Sequence, residues 1–475
     1  MSKIFKKMKS SSFLNHSKNY LIAEFFNKGL MFLTIPIFTR LLTPNEYGIL
    51  AVYGSIVTIF TIILGLNFHG SVARYYYEKS NDFNGFLKTN ILFLVVFNGV
   101  LIPIFYISRN FFGEFFQIGG NLFVIAVIVS ILSSFFNIFL ASLQASQNSH
   151  NYAKTSVFVN SSTIIIAVIW TYFLVENRYY GNVYSQFLVL FSFIIFLLFR
   201  FKNIFLNNSN KEYLKYALFF GVPLIPHALS GIVLAQFDRI MINQLIGSFE
   251  TGIYSFAYNV GLIMNVIVIA MNNSWVPIFY EHLKNNNYYK IQNLAENYSK
   301  LIFTIAFALI LFGNEIVTLM ADNDYFEALS IVPIIIVSYV FVFLYMLYGN
   351  YSFYHKKTGL ISFNTFLAGF VNIGLNYLFI PKYGYMAAAW TTLVSYVLLF
   401  VLHYCNSKYI LKENVIGLKN ISKSFATFGI FLTVYYTFVA NVSFLISEIL
   451  KIGLCAVLAF IYFKKDMLTK NLKSK

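Results

Sequence analysis

The chain has 475 residues, of which 58% are hydrophobic, 20% aromatic and only 11% charged, and its formal net charge is +16. A typical soluble domain has about 25% charged residues, so this composition excludes a soluble enzyme, a disordered chain and a small disulfide-rich secreted domain. Nucleic-acid binding is also excluded, because the lysines form short clusters between apolar runs and do not line one face of a domain. The two cysteines, Cys405 and Cys455, are far apart in the sequence and form no metal-binding or redox motif.

The long apolar runs predict an all-α polytopic membrane protein with about fourteen transmembrane helices. A helix needs ~20 mostly apolar residues to cross the hydrocarbon core of a bilayer, and it must satisfy its own backbone hydrogen bonds there. The predicted spans are 17–40, 47–68, 87–107, 120–142, 153–175, 182–200, 214–237, 252–275, 300–320, 328–352, 359–380, 385–404, 423–441 and 444–463. The first run includes Glu24 and Lys28 in its interior and has no small-residue cleavage site, so we expect a retained span and not a signal peptide.

The distribution of basic residues predicts that both termini are cytoplasmic. When alternate segments are assigned to opposite sides, 27 of the 34 lysines and arginines fall on the side of the termini, as the positive-inside rule requires. The opposite side holds Arg40, Arg109, Arg178, Arg239 and Lys382. The predicted cytoplasmic loops 69–86, 201–213, 276–299 and 405–422 are short and basic, and neither side has a loop long enough to form a domain. We therefore expect the protein to act within the membrane.

An internal repeat divides the chain. Residues 41–54 align without gaps to residues 245–258, and Leu41, Glu46, Gly48 and Ile49 recur as Leu245, Glu250, Gly252 and Ile253. Each stretch is predicted to form the outer turn between the first two helices of a six-helix group. The pattern predicts two six-helix lobes related by a parallel repeat, 1–206 and 207–408, followed by two additional helices and a basic tail in 409–475.

The sequence around this repeat resembles a known family. The first lobe contains IPIFTRLLTPNEYGILAVYGSIVTI followed by LGLNFHGSVARYYYE, and the second begins with FDRIMINQLIGSFETGIYSFAYNV. These segments resemble the starts of the two halves of Wzx-type polysaccharide flippases. Those proteins belong to the multidrug/oligosaccharidyl-lipid/polysaccharide exporter superfamily, together with the lipid II flippases and the multidrug and toxin extruders (MATE).

The resemblance implies a MATE-like fold, with two lobes around a central cavity that works by alternating access. The implied substrate is an undecaprenyl-diphosphate-linked oligosaccharide, the repeat unit of an O-antigen, capsule or exopolysaccharide. It would be flipped from the cytoplasmic to the outer leaflet of the bacterial inner (plasma) membrane. Expected partners are the phospholipid bilayer, a polysaccharide polymerase and a chain-length regulator. No cofactor is expected, and coupling to H⁺ or Na⁺ is left open.

A charged pair on the first span is the first candidate for substrate binding. Glu24 and Lys28 are spaced i, i+4, so their side chains meet on one helix face. A charge in mid-bilayer costs ~2.5–3.5 kcal/mol on insertion scales and usually faces a partner or a wet cavity. The alternatives are a cavity role and a structural ion pair. Lipid II flippases also have charged residues on their first helix, but the pattern differs residue by residue, so only the general role is implied.

The seventh span carries the second group of candidates. Pro223 and Pro226 lack backbone donors, so the helix is predicted to be kinked or locally broken. His227 is a candidate for proton coupling, with a structural role as the alternative. Asp238 and Arg239 are expected within the membrane near the outer end of the cavity, and the alternative is a pair that caps a helix in an outer loop.

The implied ligand makes further demands on the cavity. Its diphosphate is anionic, and Lys28 and Arg239 are the best cationic candidates. Arg74, at the inner end of the second span, is a candidate for the cytoplasmic entrance, with a positive-inside anchor as the alternative.

The sugars require hydrogen-bonding groups. Asn364, Asn372 and Asn376 are spaced at multiples of four on the eleventh span and form a polar stripe. The alternative for this stripe is hydrogen bonding between helices, worth ~0.6 kcal/mol per bond on average in membranes.

Two kinds of alternative function remain. A multidrug extruder or a lipid II flippase would have the same fold, but an extruder of cations needs a net-negative pocket. Here each intramembrane acid has a basic neighbour, for example Glu448 beside Lys451. From another class, a membrane glycosyltransferase or O-antigen polymerase would have a large outer loop or a loop-borne catalytic acid motif, and this sequence has no such loop.

Overall fold

The computed structural model describes the backbone of residues 2–78, 82–200, 202–413, 415–439, 442 and 444–473. Side chains are described within these ranges from residue 18 to residue 463, apart from 203, 420, 444 and 445. These residues form helices and connecting turns, and the described backbone contains no β-strand. The α-helices are α1 (Ser2–Leu41), α2 (Pro44–Leu64), α3 (Phe68–Glu78), α4 (Phe83–Ile107), α5 (Arg109–Phe115), α6 (Gly120–Ala145), α7 (Ser149–Phe173), α8 (Tyr180–Arg200), α9 (Lys211–Leu245), α10 (Ser248–Lys284), α11 (Tyr288–Leu311), α12 (Gly313–Met320), α13 (Val332–Tyr354), α14 (Thr358–Tyr383), α15 (Tyr385–Cys405), α16 (Leu418–Val434) and α17 (Phe444–Lys473).

Thirteen helices in the described part of the chain are long and apolar enough to cross a membrane. Each overlaps one of the predicted spans, so the all-α polytopic fold is confirmed. The predicted span 423–441 corresponds to α16, which has only 17 residues and continues as a π-helix over Tyr435–Val439. This candidate is therefore helical from residue 423 to residue 439, the part of it that the structure describes, although its α-helical part is shorter than a typical span.

The helix ends differ from the hydropathy prediction in several places. The predicted loop 69–86 contains α3, and the predicted loop 276–299 is mostly helix, because α10 continues to Lys284 and α11 begins at Tyr288. The predicted span 300–320 is interrupted, since α11 ends at Leu311 and α12 begins at Gly313. Hydropathy marks the apolar stretch within a helix, whereas backbone hydrogen bonds carry the helix on through polar residues.

The seventh span, predicted to be kinked or locally broken, is not broken. α9 is a continuous helix of 35 residues with Pro223 and Pro226 inside it. Each proline lacks an N–H, so the carbonyl four residues earlier loses its usual helical donor. Neighbouring turns are sufficient to keep the segment helical.

The chain divides into two compact units, Met1–Ser255 and Phe256–Lys475, called unit 1 and unit 2 below. The border between them lies inside α10. The predicted lobes 1–206 and 207–408 are defined by the sequence repeat, whereas the units are defined by packing, and the lobe limits remain a prediction. In packing terms α9 belongs to unit 1, where it contacts α2, α3 and α4.

Unit 1 has two apolar cores. The first lies among α2, α6 and α8, where the fully buried Tyr53 donates a hydrogen bond to Gln186 Oε1 at 3.0 Å. The second joins α3, α4 and α9, and in it the Tyr75 ring stacks on Phe86 with 3.8 Å between ring centres. In addition, α1 packs along α7.

Unit 2 is organised around α13, which has the largest buried share of the candidate spans. This helix contacts α11, α14 and α15, and α11 in turn contacts α16 and α17. Aromatic pairs fill these contacts, for example the Phe303 ring of α11 stacked on Phe428 of α16 with ring centres 5.8 Å apart.

The repeated sequence forms a close helix contact within unit 1. The turn before α2 is closed by a capping box, in which Thr43 and Glu46 exchange side-chain and backbone hydrogen bonds. A Cβ atom added at Gly48 would lie 1.8 Å from the carbonyl oxygen of Ser248, and one added at Gly252 would lie 1.9 Å from that of Pro44. The repeat-equivalent glycines therefore allow the first turn of α10 to pack directly on the first turn of α2.

Candidate substrate-binding residues

The charged pair of α1 forms an ion pair on an exposed face. Lys28 Nζ lies 3.0 Å from Glu24 Oε1, and the side chains are 38% and 60% exposed, respectively. The adjacent Asn27 donates a hydrogen bond to Ser156 Oγ at 2.8 Å and holds α1 against α7. The two charges thus remain accessible while their helix is fixed to its neighbour.

Arg74 lies on the short helix α3 and not at the end of α2. Its Nε atom is 2.6 Å from Glu78 Oε1, and its guanidinium carbon is 4.9 Å from the centre of the Phe220 ring. Tyr216 donates a hydrogen bond to the other Glu78 oxygen at 2.7 Å. The hydrogen bond to Glu78 raises the pKa of Arg74. The half-exposed guanidinium is therefore a fixed positive charge.

The candidates on α9 have different surroundings. His227 is exposed, whereas Asp238 is fully buried and Arg239 is 5% exposed. Tyr254 donates a hydrogen bond to Asp238 Oδ2 at 2.7 Å. Arg239 donates to the carbonyl oxygen of Ala235 at 2.9 Å and to Oε1 of Gln236 at 2.7 Å. Both charged residues lie within the helix, which continues to Leu245, and not in a loop.

The asparagine stripe of α14 is buried against α15. Asn376 donates to Asn372 Oδ1 at 3.2 Å and accepts a hydrogen bond from Thr391, while Asn372 donates to Thr392 Oγ1 at 3.4 Å. In this conformation these amides join two helices. Asn364 is also buried, and its Nδ2 has no hydrogen-bond partner within the described part of the chain.

A charge cluster in unit 2 was only partly visible in the sequence. Lys451 Nζ lies 2.7 Å from Glu448 Oε1 and 2.5 Å from Glu315 Oε1, and the lysine is almost fully buried. The i, i+3 spacing on α17 indicates the first contact, but nothing in the sequence links Glu315 to a residue 136 positions away. Tyr254, the partner of Asp238, was missed for the same reason.

The fold of these elements is that of the multidrug/oligosaccharidyl-lipid/polysaccharide exporters. The structure matches "Lipid II flippase MurJ, inward closed conformation" with a TM-score of 0.73 and 16% identity, covering 94% of this chain and 99% of that chain. It matches an inward-facing multidrug resistance MATE family transporter with a TM-score of 0.64 and 14% identity, covering 81% and 96%. At these identities the likeness concerns the fold, and it confirms the predicted MATE-like architecture.

The family follows from the sequence. The profile of the family described as "Polysaccharide biosynthesis protein" matches residues 18–283, more than half of the chain, and the protein belongs to that family. "Lsg locus putative protein 1" of Haemophilus influenzae is 26% identical over 358 residues, which cover 72% of this chain and 85% of the relative. An "Uncharacterized membrane protein" of the same organism is 27% identical over 384 residues, covering 76% and 89%.

Proposed function

We propose that this protein is a Wzx-type flippase that moves an undecaprenyl-diphosphate-linked oligosaccharide from the cytoplasmic to the outer leaflet by alternating access. The observation that carries the proposal is the combination of family and fold. A family named for polysaccharide biosynthesis matches residues 18–283, and the same chain has the fold of a protein named as a lipid II flippase. A saccharide attached to a lipid is a substrate that agrees with both the description of the family and the function named for the structural match.

The proposed roles follow from charge and exposure. Lys28 is accessible and already holds a carboxylate at 3.0 Å, so a diphosphate oxygen can replace Glu24 as its partner. Arg74 offers a second accessible cation. Arg239 and the amides of Asn372 and Asn376 on α14 are hydrogen-bonded within the protein, so they would contact substrate only in another state of the transport cycle.

The proposal includes the cellular setting. The protein would lie in the bacterial inner membrane with both termini in the cytoplasm, and it would supply a polysaccharide polymerase and a chain-length regulator with repeat units. Coupling to H⁺ or Na⁺ belongs to the same proposal. The exposed His227 on α9 is the candidate for a proton-coupled cycle.

The test is a deletion of the gene combined with a count of lipid-linked repeat units on each leaflet. We expect the units to accumulate on the cytoplasmic leaflet and to return to normal when the wild-type protein is restored. Reconstituted vesicles containing the purified protein should then flip a fluorescent lipid-linked oligosaccharide.

The alternatives give different results in the same experiments. Unchanged lipid-linked units combined with a new sensitivity to organic cations would indicate a multidrug extruder and contradict the proposal. Accumulation of lipid II would indicate a lipid II flippase. Sugar transfer by the purified protein in detergent would indicate a glycosyltransferase or polymerase.

A further inference from the structure

Unit 1 contains a groove whose lining does not include any of the residues discussed above. It has a volume of about 870 Å³ and lies between α6, α7 and α8. Its walls combine apolar side chains with a few hydroxyl and amide groups and two cations, Lys154 and Arg200. All fifteen lining residues belong to the described part of the chain, and none of them is acidic.

The two cations lie at the same end of the groove. α7 and α8 pack against each other and are joined by the short segment 174–179, so they run antiparallel. Lys154 is near the start of α7, and Arg200 is the last residue of α8. Both residues therefore lie at the end of the helix pair that is opposite the connecting turn.

The rest of the groove is mainly apolar. Ile166 and Leu188 also line it, each twelve residues from the cation on its own helix, which corresponds to about 18 Å at 1.5 Å per residue. Half of the ~30 Å hydrocarbon core is ~15 Å, the depth of one leaflet. The groove thus has cations at its mouth and an apolar channel as long as one acyl chain.

We propose that this groove binds an anionic glycerophospholipid of the surrounding bilayer. Its phosphate would lie against Lys154 and Arg200, and one acyl chain would follow the apolar channel between α7 and α8. Lys and Arg are the side chains that suit phosphate, and a lining without acids offers nothing to the ammonium of a zwitterionic headgroup. The polyprenyl chain of the proposed substrate is much longer than one leaflet, so a membrane phospholipid fits the groove better.

Native mass spectrometry of the full-length protein tests this site. The protein in mild detergent is titrated with phosphatidylglycerol and with phosphatidylethanolamine of the same acyl composition. We expect one molecule of phosphatidylglycerol to bind at least ~10-fold more tightly than phosphatidylethanolamine. Each basic residue near an anionic lipid surface contributes modestly, so Lys154→Ala with Arg200→Ala should weaken phosphatidylglycerol binding about 30-fold.

Two further variants control the result. Lys284→Ala with Lys290→Ala removes the same charge from exposed positions in unit 2 and should bind phosphatidylglycerol as the wild type does. Ser192→Trp fills the groove while keeping both cations, and it should reduce binding of the lipid to a similar degree. If the double alanine variant does not fold, this variant alone tests whether the lipid binds in the groove.

Three outcomes would overturn the proposal. Equal binding of the two phospholipids by the wild type would show that the groove does not select an anionic headgroup. Undiminished phosphatidylglycerol binding in the double alanine or the tryptophan variant would place the lipid elsewhere. Displacement of phosphatidylglycerol by an equimolar polyprenyl-diphosphate lipid would assign the groove to that carrier.

Discussion

Lys28 and Lys451 both pair with glutamate inside candidate spans, but their surroundings differ. Lys28 is 38% exposed and has one partner on its own helix, whereas Lys451 is 5% exposed and contacts carboxylates from two helices. An exposed ion pair typically contributes ~0–1 kcal/mol to stability. Removing one partner from a buried ion pair costs ~3–5 kcal/mol, because an uncompensated charge remains. The first lysine can therefore be replaced with little loss of stability, and the second cannot.

The α1 pair gives the first prediction. Lys28→Ala should abolish flipping while the protein remains folded and inserted, because it removes an accessible cation for the diphosphate. Exchanging the residues, Glu24→Lys with Lys28→Glu, keeps the attraction but moves the positive charge by ~6 Å along the helix, slightly more than one turn. The exchanged protein should also be inactive in a vesicle flipping assay. Full activity would show that the pair is structural.

A matched control is available on α11. Lys300 also pairs with a glutamate at i−4, Glu296, at 2.6 Å. Lys300→Ala breaks a helical ion pair of the same spacing outside the proposed site and should leave flipping close to the wild-type rate.

The cluster around Lys451 gives the second prediction. Lys451→Met should lower the free energy of unfolding by ~3–5 kcal/mol, because Glu315 and Glu448 would be left without their cation. Adding Glu315→Gln and Glu448→Gln should recover much of this loss. Thermal unfolding of the purified variants, followed by tryptophan fluorescence, is the measurement. Equal midpoints for the single and triple variants would contradict this account.

Asp238 and Arg239 give the third prediction. Arg239→Ala should cause a severe flipping defect, because it removes a cation near the proposed substrate path. Asp238→Asn should cause a milder flipping defect, because the charge that it removes has the same sign as the substrate and does not attract it. Tyr254→Phe deletes the hydroxyl that binds Asp238 and leaves the buried carboxylate short of a donor, which should lower stability by ~1–3 kcal/mol. If the Arg239→Ala variant flips the substrate at the wild-type rate, Arg239 has only a structural role.

At the scale of helices, the contact between α2 and α10 depends on two missing side chains. The backbones approach so closely that a methyl group at Gly48 or Gly252 would overlap a carbonyl oxygen of the other helix. Carbonyl groups in a helix are fixed by their own hydrogen bonds, so the helices themselves would have to move apart. Small residues that permit close approach are typical of helix contacts in membranes.

The fourth prediction tests this contact. Gly48→Ala and Gly252→Ala should each lower the free energy of unfolding by at least ~1–3 kcal/mol, the usual cost of overpacking. Gly54→Ala, also on α2, is the control, because a methyl group added there would have no atom within 4 Å other than those of its own helix turn. Alanine favours a helix by up to ~1 kcal/mol over glycine, so this variant should be as stable as the wild type or more so. Equal unfolding midpoints for the Gly54 and Gly252 variants would contradict the packing argument.

The sequence predicts helices better than it predicts their ends and contacts. Apolar runs of span length are unambiguous, and the family resemblance correctly implied a MATE-like fold, whereas the duplication indicated by the repeat remains a prediction. The helix α3 was missed because it is short and polar on one side, with no apolar run to mark it. The i, i+4 spacing places Glu24 beside Lys28, but contacts such as Asp238 with Tyr254 depend on how separate helices pack, which no local pattern encodes.

At the scale of the whole molecule, the number of crossings depends on α16. With fourteen spans, the segments before and after this helix lie on opposite sides of the membrane. If α16 and its π-helical end do not cross, both segments lie on the same side, and the carboxyl terminus moves to the outside.

The fifth prediction resolves the count by cysteine accessibility in a background without Cys405 and Cys455. Lys412→Cys and Asn285→Cys should react only after permeabilisation, whereas Val442→Cys and Asn323→Cys should react with an impermeant reagent in intact cells. Protection of the cysteine at position 442 in intact cells would remove α16 from the spans. Protection of the one at position 323 would contradict the topology of the whole chain.

The position of the unit border within α10 has a consequence for the ancestry of the protein. If the two lobes descend from a duplicated gene, the second copy begins near α9, yet α9 and the first turns of α10 pack with the helices of the first copy. The beginning of the second copy would then pack as part of unit 1, so the two copies would not be independent folding modules. A substitution in α9 or at Gly252 would then change the sequence of one copy while its packing partners belong to the other, so the two copies would continue to evolve together after their sequences had diverged.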